Sequence, residues 1–151
     1  MKKNNALFFA ILFAVSLSAP LYAQTAAELE DLLQIQAVSY EQAARFVLEA
    51  ADIAAENAVQ PFALAVERSW LPKKAAAEKP ITLTELSFLM MKAFDLKGGI
   101  MYAIAPGPRY SYRSMISRSF IEGAADPAMT VNGDRFLIIL GNVLNAAGGD
   151  K

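Results

Sequence analysis

The stretch PITLTELSFLMMKAFDLKGG, residues 80–99, decides the fold because it contains a whole helix with signals at both ends. Thr82 and Glu85 have the spacing of a capping box, in which each side chain accepts a hydrogen bond from the other's backbone N–H. Apolar residues then recur every three or four positions, as on a buried helix face. The glycine pair at 98–99 tolerates the backbone of a helix end. The stretch therefore predicts a capped, buried helix over 82–96.

The same start signal occurs twice more. Ser39 and Gln42 have the S-x-x-Q form of the box, and a shift of 43 residues places VSYEQAARFVLEAADI on ITLTELSFLMMKAFDL. A third copy begins at Thr130, where a shift of 48 residues places Phe136 on Phe88. We therefore predict structural caps at all three starts, with Thr130 as the third.

The segments between these helices repeat as well. A shift of 50 residues places FALAVERSWLP (62–72) on YRSMISRSFIE (112–122). Two segment types repeated in the same order predict supersecondary units that stack because none buries its apolar face alone. We predict an all-α fold, a helical repeat array of about two and a half helix–loop–helix repeats. The expected helices are 25–36, 39–53, 62–71, 82–96, 110–121 and 131–146, with a short extended piece at 101–104.

The N-terminal residues have the pattern of an export signal. Lys2 and Lys3 precede an apolar run, and Ala23 is a small residue suited to cleavage. The run is shorter than the roughly 20 residues of a membrane-spanning helix, which favours a cleaved signal peptide at 1–23 over an anchor. We expect one helical domain at 24–147, a tail at 148–151, no transmembrane segment in the mature chain, and a periplasmic or secreted location.

The amino-acid composition restricts the kinds of catalytic and metal-binding site that the chain can form. The chain has no cysteine and no histidine, which excludes disulfides, thiol catalysis, histidine-based triads and histidine metal ligands. Removal of the signal takes away two lysines and no acid, so the net charge changes from −1 to −3. This net charge is too mild to argue for nucleic acid or for an anionic membrane as a partner, and no nucleic-acid partner is expected. We predict a protein that is not an enzyme and holds no metal or cofactor.

The order of the repeated pieces resembles the S-layer homology family. In that family an I-T-x-x-E helix start is followed by a loop, an aromatic-led second helix, a glycine-bearing link and another Thr-led helix. The resemblance covers most of 38–146 and is strongest over 81–136. The matching pieces are ITLTE (81–85), RYSY (109–112) leading into Met115 and Ile116, FIEG (120–123), and Met129 with Thr130.

The resemblance implies a helical, non-catalytic module that anchors proteins to the cell envelope. Family modules pack about a pseudo-threefold axis and bind cell-wall polysaccharide or peptidoglycan-linked polymers in the grooves between repeats. The chain departs from the family in lacking the arginine of the T-R-A-E motif, at whose position it has Tyr40, Leu83 and Val131. The expected partner is therefore a cell-wall glycan or another envelope protein. The alternatives are a purely structural scaffold of the periplasm and a small carboxylate-based glycan hydrolase.

The candidate ligand residues lie in KGGIMYAIAPGPRYSYRSMISR, residues 97–118. This stretch combines cations with tyrosines in a loop stiffened by prolines. Aromatic faces stack on sugar rings, and an arginine fork pairs with carboxylates. We predict ligand-binding roles for Arg109, Tyr110, Arg113 and Tyr102. Tyr112 is assigned to the core instead, because its repeat equivalent is a phenylalanine.

Overall fold

A computed structural model of the chain describes residues 19–53 and 60–149. These residues form helices joined by turns, with isolated β-bridges and no strand among them, so the all-α prediction is confirmed. The described helices are α1 (Ala19–Leu33), α2 (Tyr40–Ala50), α3 (Pro61–Glu67), α4 (Leu83–Ala93), α5 (Ile100–Ile104), α6 (Pro108–Ser117) and α7 (Gly133–Gly149).

The chain divides into two compact units, residues 1–34 and 35–151. Helix α1 belongs to the first unit and the other described helices to the second. Residues 1–18 of the predicted signal peptide lie outside the described residues, and α1 runs through its last five positions. No helix in the described part of the chain is long and apolar enough to cross a membrane.

Both predicted capping boxes are present. At α2, the Gln42 N–H donates to Ser39 Oγ at 3.2 Å, and the Ser39 N–H donates to Gln42 Oε1 at 3.0 Å. At α4, the Glu85 N–H donates to Thr82 Oγ1 at 3.4 Å, and the Thr82 N–H donates to Glu85 Oε2 at 3.2 Å. The reciprocal bonds satisfy donors that a helix start otherwise leaves free.

The third start differs from the prediction. Helix α7 begins at Gly133, and the Asn132 side-chain oxygen accepts the Arg135 N–H at 3.0 Å. Thr130 is therefore not the cap; it pairs with Thr82 in an isolated antiparallel bridge, which holds it before the helix. Asparagine caps as well as threonine does. The offset from Thr82 to the third cap is thus 50 residues, and Phe136 corresponds to Leu86 instead of Phe88.

Backbone hydrogen bonds join the starts of α2, α4 and α7 in a ring. The first residue of each helix donates its N–H to the segment that precedes the next start, and α7 donates to the segment before α2. The three bonds, each 2.9 Å long, run from Tyr40 to Lys79 O, from Leu83 to Met129 O and from Gly133 to Ile35 O. Val38, Ile81 and Val131, at matching positions in these segments, are all fully buried.

Four helices end in the same type of turn. Two residues beyond the last helical position, α2, α3, α4 and α6 each have a non-glycine residue with a left-handed backbone. These are Asp52, Ser69 and Ser119 at φ 58° and Asp95 at φ 49°. Such a residue lets the chain turn back and satisfies the last carbonyls of the helix. Helix α4 therefore ends at Ala93, before the glycine pair at 98–99 that the sequence predicts as its end.

The segment predicted as extended at 101–104 is helical and forms most of α5. It is too short for periodicity to reveal a helix, which accounts for the difference. In the second unit, α4 packs mainly on α6, and α2 packs on α3 and α4. Helix α6 thus has one face in the core, and its opposite face, together with α5, carries the predicted ligand residues.

Candidate anion-binding cleft

The predicted ligand residues border two neighbouring depressions on α5 and α6. The first, which we call the arginine cleft, has a volume of about 530 Å³ and is lined by Thr84, Arg109, Tyr112, Arg113 and Pro127. The second, the α5 groove, has a volume of about 330 Å³, and its lining includes Ile100, Met101, Tyr102, Tyr110 and Arg113. Arg113 is the predicted residue that borders both.

Arg109 and Arg113 lie one turn apart on α6, so their side chains share a face of the helix. Both are exposed, and within 19–53 and 60–149 neither has a hydrogen-bond or ion-pair partner. Arg109 is in the first turn, where the helix dipole favours an anion and disfavours a cation. Helix stability therefore does not explain this arginine, and the pair is available to bind carboxylate or phosphate oxygens.

The opposite wall of the cleft is fixed to the core. The buried Tyr112 donates its hydroxyl hydrogen to the Ala125 carbonyl, and the Thr84 hydroxyl donates to the Pro127 carbonyl at 2.7 Å. The Arg135 guanidinium donates to the carbonyls of Glu122, at 3.0 Å, and Ala124, at 2.5 Å. The linker at 122–129 is thereby held in one conformation, which makes the cleft largely preformed.

Tyr102 makes a structural contact as well as lining the α5 groove. Its side chain packs so closely on Gly98 that a Cβ there would lie 2.5 Å from the ring. Burial, followed by the negative charge of Asp95, raises the pKa of Tyr102, and a hydrogen bond with Ser111 acts in the opposite direction. The half-buried ring therefore fastens α5 to the end of α4.

The structure separates the predicted pair Arg109 and Tyr110. Arg109 lines the arginine cleft, whereas the half-buried Tyr110 lines the α5 groove on the other side of Arg113. Sequence reasoning missed Thr84 and Pro127 as cleft residues. Thr84 is inside the predicted capping box, but only the pairing of α4 with the linker places it in the cleft.

Two carboxylates outside the cleft are engaged in structure. Glu85 closes the α4 cap and hydrogen-bonds to Tyr40, whose pKa is raised by burial and then by that contact with Glu85. Asp126 accepts the Ala128 N–H at 2.9 Å in a local turn. Among the described residues, no group of three or more carboxylates is placed to hold a metal ion.

No protein-family model matches the chain, and no match was found among curated proteins or among solved structures.

Proposed function

We propose that the chain is an exported, non-catalytic module of the S-layer homology type that anchors to an anionic cell-wall glycan through the arginine cleft. The observation that carries this proposal is the pair Arg109 and Arg113, two exposed guanidiniums without partners in the described chain, beside a wall that is fixed to the core. Export is part of the proposal and is supported by the signal pattern at 1–23.

The ring of helix starts supports the family assignment. Tyr40, Leu83 and Gly133 follow the three caps and make equivalent backbone bonds, at offsets of 43 and 50 residues. Such a ring is what three copies of one unit form when each needs its neighbours to bury its apolar face. We therefore propose three divergent repeats, of which the last retains its first helix.

The position of the family's arginine does not carry the glycan site in this proposal. With the third cap at Asn132, that position holds Tyr40, Leu83 and Gly133, which replaces the sequence assignment of Val131. None of the three is a cation and all three are buried, so this position offers no positive charge to a ligand. Arg109 and Arg113, on the second helix of the middle repeat, take over anion recognition.

The chemistry of the cleft fits a glycan that bears carboxylates. An arginine fork binds a carboxylate through two parallel hydrogen bonds, and two forks one turn apart bind neighbouring acidic groups on one polymer. The Thr84 hydroxyl and the apolar Pro127 line the same cleft and offer a polar and a non-polar contact to a sugar. The half-buried Tyr110 provides a ring for stacking along the α5 groove.

The test is co-sedimentation of the mature protein with purified peptidoglycan sacculi. Wild type should sediment with sacculi, and Arg109→Gln/Arg113→Gln should lower the affinity by about tenfold or more. The control, Lys73→Gln/Lys74→Gln, removes the same charge from two exposed residues of another linker and should bind as wild type does. Equal binding by all three proteins would refute the arginine cleft as the glycan site.

A protein scaffold without glycan binding is the second candidate. It is favoured by the presence of Tyr40, Leu83 and Gly133, three buried and uncharged residues, where the family usually has a cation. Failure of wild type to sediment with sacculi, together with capture of one defined envelope protein, would support it. Solubilisation of the sacculi during the same incubation would instead support the hydrolase alternative.

A further inference from the structure

Helix α5 exposes an unusual amount of apolar surface for its length. Ile100, Met101 and Ile104 are 80%, 51% and 73% exposed, although α5 has only five residues. The spacing of one and four residues places the three side chains on one side of the helix. We call these three residues the α5 tip.

The structure holds the α5 tip in a defined orientation. Tyr102 packs on Gly98 and points opposite to the tip, so α5 has one anchoring side chain and three outward ones. The Gly99 N–H, at the helix start, donates to Ser114 Oγ on α6 at 3.2 Å. The exposed isoleucines are therefore presented by a fastened element, and their exposure needs a functional explanation.

The segment that contains the α5 tip carries only positive charges. The segment from Lys97 to Arg118 contains four cations and no acid, in a chain whose net charge is −1. All four cations are exposed. The Arg118 guanidinium donates to the Lys97 carbonyl at 2.9 Å, whereas the side chains of Lys97, Arg109 and Arg113 have no hydrogen-bond or ion-pair partner among the described residues.

We infer that the α5 tip docks the protein on the surface of an anionic lipid membrane. The two isoleucines and the methionine enter the boundary between headgroups and acyl chains, and Lys97, Arg109 and Arg113 pair with lipid phosphates. Apolar side chains flanked by cations are what an interfacial segment needs, since burial and electrostatic attraction then act together. A three-residue tip is too small for a standard protein interface, which requires about 800 Å² on each partner.

This inference concerns a ligand class different from the glycan of the proposed function, and the two share the arginines and, through the α5 groove, Ile100 and Met101. A substitution at Ile104, which does not line the groove, therefore separates them. Ile100→Ser/Ile104→Ser removes the apolar contact and leaves Arg109 and Arg113 in place. The matched control is Ile138→Ser/Leu144→Ser, at two exposed apolar residues of α7 that are 52% and 40% exposed.

The experiment is co-sedimentation with vesicles of phosphatidylcholine, with and without phosphatidylglycerol. Wild type and the α7 control should bind the anionic vesicles and ignore the neutral ones. Ile100→Ser/Ile104→Ser should lower the partition coefficient by about tenfold or more, with an unchanged melting temperature. Ile104→Ser alone, at a residue outside the lining of the α5 groove, should also weaken vesicle binding and should leave binding to sacculi unchanged. High salt should weaken the wild-type interaction, because the cations contribute to it.

Three results would overturn the inference. Failure of the wild-type protein to sediment with anionic vesicles would refute the inference. Binding by Ile100→Ser/Ile104→Ser at the wild-type level would show that the tip does not enter the membrane. A wild-type dimer in sedimentation velocity that this variant converts to a monomer would identify a second copy of the chain as the occupant of the tip.

Discussion

At the scale of single residues, short polar side chains determine where the helices of the ring begin. Ser39, Thr82 and Asn132 each accept a backbone N–H from the residue three positions later. The loss of such a bond leaves a donor at the helix start without a protein partner.

Alanine substitutions test the assignment of the caps. Thr82→Ala and Asn132→Ala should each lower the free energy of unfolding in urea by about 1 kcal/mol. Thr130→Ala is the control, because Thr130 is exposed and lies outside α7. A larger loss of unfolding free energy for Thr130→Ala than for Asn132→Ala would contradict the assignment of Asn132 as the third cap.

A glycine pair tests how α5 is fastened. Gly98→Ala places a Cβ 2.5 Å from the Tyr102 side chain and should destabilise the protein by about 1–3 kcal/mol. Gly99→Ala is the neighbouring control, since its Cβ meets nothing within 4 Å. Its loss should be smaller, about 0.5 kcal/mol, because alanine is a poorer N-cap than glycine. Equal effects at both positions would argue against the packing of Tyr102 on Gly98.

The residue scale also shows what the sequence can predict. The boxes at Ser39 and Thr82 are readable because two residue types at a fixed spacing define them. The third cap cannot be predicted in this way, because Thr130 and Asn132 are both suitable cap residues. The choice between them depends on the bridge between Thr130 and Thr82. The arginines of the cleft can be predicted as candidates from the sequence, but the separation of Arg109 from Tyr110 depends on the rotation of α6.

At the scale of elements, the linker at 122–129 is ordered by side chains that reach it from three helices. The Tyr112 hydroxyl of α6, the Thr84 hydroxyl of α4 and the Arg135 guanidinium of α7 all donate to its carbonyls. These long-range contacts have no sequence signature, so the linker is predictable as a loop but not as a wall of the cleft.

Removal of the Tyr112 hydroxyl tests whether it holds the linker that forms the wall of the cleft. Tyr112→Phe should lower the free energy of unfolding by about 1 kcal/mol, because the Ala125 carbonyl loses its donor. Tyr110→Phe serves as the control, since the Tyr110 hydroxyl has no partner within the described residues. Thermal or urea unfolding of the two variants measures the difference. A neutral Tyr112→Phe would show that the hydroxyl does not hold the linker.

At the scale of the whole molecule, the account depends on a ring that closes within residues 35–151. The N–H of a first helical residue has no partner inside its own helix. At Tyr40, Leu83 and Gly133 that N–H is instead bonded to a neighbouring segment. The repeat offsets predicted two of these starts, while closure through Ile35 depends on three-dimensional pairing that no local pattern specifies.

Hydrogen exchange tests the closure. The amides of Tyr40, Leu83 and Gly133 should be protected from hydrogen exchange to a similar degree, since breaking any of the three hydrogen bonds between helix starts exposes buried residues of the ring. The Arg109 amide is the internal reference; it is also in a first helical turn but has no backbone partner among the described residues, so it should exchange rapidly. Rapid exchange of one of these three amides would show that the ring is open at that helix start.

We propose that Arg109 and Arg113 bind an anionic wall glycan, and the side-chain Nε–Hε resonances of these arginines report on that binding. Soluble glycan fragments released from sacculi would be titrated into the labelled protein while two-dimensional NMR spectra are recorded. The account predicts saturable shifts of the Arg109 and Arg113 signals and of the Thr84 amide, with the Arg45 and Arg68 signals unchanged. Unchanged Arg109 and Arg113 signals at saturating fragment, or equal shifts at all these arginines, would contradict it.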